Sequence, residues 1–76
     1  MPTLVRLGNV LIRMYADDHV PPHFHVVTPN GEALVSIDSL EMLQGAIDRR
    51  SLEAALAWAG ENMEMLANEW RRLNER

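Results

Sequence analysis

All three histidines fall in one short window, His19, His23 and His25, directly after Asp17 and Asp18. Imidazole and carboxylate donors suit zinc, iron or nickel. On an extended strand alternate residues share a side, so His23 and His25 point the same way. With His19 or Asp18 as a further donor, the segment could hold a divalent transition metal. A catalytic zinc needs about three protein ligands and an open position. A bare H-x-H is a weak signal, and no H-E-x-x-H helix accompanies it. The favoured reading is structural: an imidazole ties the Pro21-Pro22 stretch to a sheet, one nitrogen bonding backbone and the other a carboxylate.

Other chemistry is sparser. Arg13 and Tyr15 share a strand face, Arg13 as an anion contact and Tyr15 as a hydrogen-bond donor. Ser36, Ser39, Ser51, Thr3 and Thr28 occur at no spacing that gives one of them a base and an orienting group. Cysteine is absent, which removes disulfides, thiolate metal sites and a cysteine nucleophile. A non-enzymatic role is therefore favoured, with metal-assisted hydrolysis as the enzymatic alternative.

Seven arginines and no lysine stand against eleven acids, a formal charge of −4. Net acidity disfavours nucleic acid, which requires clustered positive charge; the Arg49-Arg50 pair is the candidate contact if it binds at all. No stretch approaches the roughly 20 apolar residues of a membrane span. The N-terminal MPTLVRLGN lacks a secretory apolar run, so a cytoplasmic location is expected.

A chain of 76 residues suffices for one domain, 1–76, with a core that by itself gives modest stability. Residues 3–7 and 10–15 flank Gly8-Asn9 and read as a hairpin. Val10, Ile12 and Met14 share one face, with Leu11, Arg13 and Tyr15 on the other. Both faces are partly apolar, which implies that something shields the second side. After the irregular prolines, residues 23–28 resume an extended pattern, and Pro29-Asn30-Gly31 turns the chain. Ala33, Val35 and Ile37 then share a face, with Leu34 opposite beside Glu32. The expected architecture is α+β: an antiparallel sheet of about four strands over residues 3–38, a connecting segment 39–47, and one long amphipathic helix over about 48–73. Within the connection, residues 40–45 could add a turn or an edge strand.

Leu52, Leu56, Ala59, Met63, Leu66, Trp70 and Leu73 trace one stripe on a 3.6-residue period, with Asp48 or Ser51 as the N-cap. Gly60 costs about 1 kcal/mol relative to alanine, and mid-helix it predicts a close backbone approach. A helix of about 24 residues is roughly 36 Å long, whereas strands span ~17–20 Å. The end of the stripe should therefore project past the sheet, leaving Leu66, Trp70 and Leu73 to meet a second copy or another protein. Tyr15 and His23 form a second candidate patch.

At Arg13-Met14-Tyr15, Asp18-His19 and Pro21-Pro22-His23-Phe24-His25-Val26 the chain resembles the bacterial domain-of-unknown-function family 4160. The likeness runs from Met1-Pro2-Thr3 through Arg49-Arg50 to Trp58-Ala59 and Asn68-Glu69-Trp70. The PPHFHV segment is the distinctive part. The resemblance implies a small stand-alone protein with a heteromeric partner, as the antitoxin-like or regulatory member of a two-protein system. It supplies no catalytic residue.

Overall fold

The structure, a computed structural model, describes residues 3–16 and 20–74. Five strands form one antiparallel sheet: β1 Thr3–Leu7, β2 Val10–Arg13, β3 His23–Thr28, β4 Gly31–Ser36 and β5 Met42–Ala46. They lie side by side in chain order, each next to its sequence neighbour because short turns can join only adjacent antiparallel strands. Gly8 makes the first turn at φ 63, a conformation open to glycine at little cost. Two helices follow, α1 Arg49–Gly60 and α2 Met63–Asn74. Among the described residues no helix is long and apolar enough to cross a membrane.

Two expectations are overturned. The sheet has five strands rather than about four, since residues 42–46 of the presumed connection pair with β4. The C-terminal region is not one long helix: it breaks at Glu61-Asn62. Gly60 and Glu61 end α1, where the Asn62 amide donates to the Trp58 carbonyl at 2.8 Å. The Asn62 carbonyl in turn accepts from Leu66 N–H to begin α2. Two helices of 12 residues each are about 18 Å long, which matches the strands, so the break lets both halves of the stripe reach the core where a continuous rod would leave one end in water. Gly60 admits no close approach either. A Cβ built there meets nothing within 4 Å and the residue's φ is not positive, so the local geometry does not require glycine.

The alternation in the strands places Val10, Ile12 and Met14, then Phe24 and Val26, then Ala33, Val35 and Ile37 on the inner face, all buried. Ala55 and Ala59 of α1 and Leu66 and Trp70 of α2 close the core over them. Alanine at the α1 contact allows that helix to lie close to the sheet. Full burial of a large apolar side chain contributes about 1.5–3 kcal/mol, and Phe24, Ile12 and Met14 are the largest such groups on the sheet.

Asp48 caps α1, accepting the Ser51 N–H at 3.0 Å. Hydrogen bonding from Ser51, through its hydroxyl and then its N–H, holds the Asp48 carboxyl below its ordinary value of 3.8. A folded-state pKa that is depressed adds stability above the unfolded value and loses it as pH falls through the folded one. The stability gap between wild type and Asp48→Ala should therefore shrink on acidification below pH 3.8. Urea denaturation at about pH 6 and about pH 2.5 measures it; an unchanged gap would remove the charged cap from the account.

Candidate functional site

The Pro21-Pro22-His23 stretch enters β3 through a cis Val20–Pro21 bond. A carbonyl can only accept, so His23 Nδ1 donates to the Pro21 carbonyl, at 2.8 Å. His25 Nδ1 lies 2.8 Å from the Glu32 carboxylate across the β3–β4 pair. The aromatic rings follow one another: Tyr15 meets His25 edge-on at 4.6 Å, His25 meets His23 at 5.3 Å, and His23 meets Trp70 at 5.3 Å. Asn74 fastens the end of α2 to the same corner by donating to the Tyr15 carbonyl at 3.2 Å. His23 is 4% exposed. The histidine segment thus joins the sheet to α2, and its rings are packed rather than presented.

As a metal centre the described part is short of donors. His23 and His25 offer two imidazoles, and among the described residues no group of three or more His, Cys, Asp or Glu is placed to hold an ion. Asp18 and His19, the other expected ligands, lie outside the described residues. The Arg49-Arg50 pair is exposed at the start of α1, with Arg49 3.3 Å from Glu53 within the helix. Arg72 similarly pairs with Glu69 at 3.0 Å, which pulls the Glu69 carboxyl below its ordinary value. The helix arginines are thereby partly matched by acids on their own faces.

Leu66 and Trp70, expected at an overhanging partner surface, are 0% and 2% exposed in the chain's own core, and Leu73 packs against that core. Their periodicity was a core signal, because the break at Glu61-Asn62 redirects α2 so that Leu66 and Trp70 enter the core. Tyr15 is half-buried against His25.

Among the described residues, a partly open surface lies on the other side of the sheet. Strand register puts Arg6, Leu11, Val27 and Glu32 in one row across β1 to β4, and Arg13, His25 and Leu34 in the next across β2 to β4. Leu11, Val27 and Leu34 are only partly buried and stand outside the core cluster. At the turn end a hollow of about 360 Å³ is lined by Arg6, Asn9, Leu11, Val27, Thr28 and Pro29. Arg13 Nε is buried with no hydrogen-bond partner among the described residues. A solvated sheet face normally alternates to polar residues; this one keeps three aliphatic side chains beside two cations. The signal in the sequence was the double apolarity of β2, which announced a cover without locating it.

A family profile described as Domain of unknown function (DUF4160) matches residues 9–71, from the first turn through most of α2. No curated protein and no solved structure matches the chain.

Proposed function

The chain belongs to the DUF4160 family, and we propose that this member is a protein-interaction module that docks a partner on the outer face of its sheet. The observation that carries the reading is the cluster of Leu11, Val27 and Leu34, partly exposed over two neighbouring rows on the face opposite the core and flanked by Arg6 and Arg13. An aliphatic centre with charged surroundings is the anatomy of an interface, where the centre supplies desolvation and the rim supplies orientation. Arginine suits such a rim because its planar fork binds carboxylates in two places. An open docking face is also what an antitoxin-like or regulatory member of a two-protein system requires.

The test is capture from the cells that make the protein, using wild type and Leu11→Glu side by side, with circular dichroism to verify folding. A binding protein, or a second copy, held by wild type and lost with the variant supports the reading. Capture that ignores Leu11→Glu, or a wild-type chain that holds neither, sinks it. Because Leu11 lies outside the core cluster, the variant should keep its fold.

A further inference from the structure

Resting on that docking face, we infer that its occupant is a second copy of this chain, laid sheet against sheet about a two-fold axis parallel to the strands. The charge on the face is segregated. Arg6 and Arg13 lie on β1 and β2, whereas Glu32 lies on β4, and β3 runs between them. A two-fold axis over β3 inverts this order in the second copy, so that β4 of one sheet lies over β2 of the other.

Glu32 of each copy then comes over β2 between Arg6 and Arg13 of the other, and Val27 meets Val27 at the axis. Leu11 lies under Glu32 and Leu34 over Arg13 of the other copy, so the contact is apolar only along β3 and its match is mainly electrostatic, each acid coming beside two cations. Such an interface is isologous, the same patch used twice. One carboxylate oxygen of Glu32 already holds His25, and a carboxylate has a second oxygen to accept from an arginine. Two antiparallel sheets packed face to face at about 10 Å, inclined by about 30°, are a standard layer pair.

The core cluster lies on the inner face, and α2 meets the outer-face ring of His23 at the far end of β3 from Val27, so a second sheet adds a layer over the Leu11–Val27 row without disturbing the core. Five strands about 4.8 Å apart and about 17 Å long offer roughly 400 Å² of flat area per copy. That size places the pair among weak dimers that separate on dilution.

Sedimentation of the purified full-length chain across a concentration series tests the pairing, with wild type, Arg6→Glu, Glu32→Arg and the double reversal compared. Wild type should move from 8.6 kDa to twice that mass as concentration rises. Each single reversal should raise the dissociation constant about tenfold, and the double reversal should bring it back. Arg6 is exposed, so its reversal spares the fold.

A second measurement avoids charge altogether. The chain has no cysteine, so Val27→Cys carries a single thiol, which a short bis-maleimide should join to its twin, while Glu61→Cys on the helix side should not be joined. A wild-type chain that stays monomeric overturns the pairing, as does a dimer indifferent to the reversals or a Val27→Cys that resists joining. If such a monomer still captures a different protein in a Leu11-dependent way, the docking face stands and only its occupant is wrong.

Discussion

Replacing Trp70 with alanine is expected to remove about 3–5 kcal/mol of folding stability, the cost of deleting a large buried aromatic side chain. Trp70 is 2% exposed and lies in the same core cluster as Phe24, Ile37 and Leu66. Its ring also meets His23 at 5.3 Å, so truncation opens a cavity and unseats the histidine corner together. A chain of 76 residues has a total stability of roughly 4–11 kcal/mol, and the variant should be largely unfolded near the lower end of that range. Urea denaturation followed by circular dichroism measures the loss. Leu11→Glu, on the outer face, should leave the midpoint nearly unchanged. If Trp70→Ala were as stable as wild type, Trp70 would belong to a partner surface, as its helical periodicity alone had suggested.

The second large effect is expected at Gly45. Its φ is +96, and a Cβ built there would fall 2.2 Å from the Glu32 carbonyl oxygen and 2.8 Å from the Ala33 Cα. Both are backbone atoms of β4 that cannot swing aside. Gly45→Ala should therefore cost about 1–3 kcal/mol for the backbone conformation alone, and more for separating β4 from β5. Hydrogen exchange should show β5 losing protection first, because among the described residues no strand pairs with its other edge. Gly8→Ala is the control. Gly8 also has positive φ, at +63, yet its Cβ would meet nothing within 4 Å, so it should cost only the roughly 1–2 kcal/mol of a left-handed residue. Equal losses at the two sites would mean that the close passage of β5 over Glu32 is not real.

A small core with no disulfide has limited reserve, which gives the docking face an energetic meaning as well as a functional one. Any partner that binds only the folded chain adds stability by mass action. Melting that rises with protein concentration would be the thermal signature of the sheet-on-sheet pair.

What the residues determined by themselves was local. The alternation of Val10, Ile12 and Met14 and of Ala33, Val35 and Ile37 set which side of each strand is inner, and the Gly8-Asn9 and Pro29-Asn30-Gly31 turns set which strands are neighbours. Asp48 before a helical stripe announced its cap. These features involve groups a few residues apart, where covalent geometry leaves few choices. Other features depended on where distant segments meet. The stripe from Leu52 to Leu73 keeps its period whether the helix runs on or breaks, and only the extent of the sheet decides that a break buries more. For the same reason Leu66 and Trp70 became core, and the partly exposed aliphatic cluster passed to Leu11, Val27 and Leu34. β5 was faint because Met42, Leu43, Gln44, Gly45 and Ala46 are exposed and lack a clean alternation. Periodicity reports which side chains share a face, but the solvent each face meets is set by the packing of elements remote in the chain.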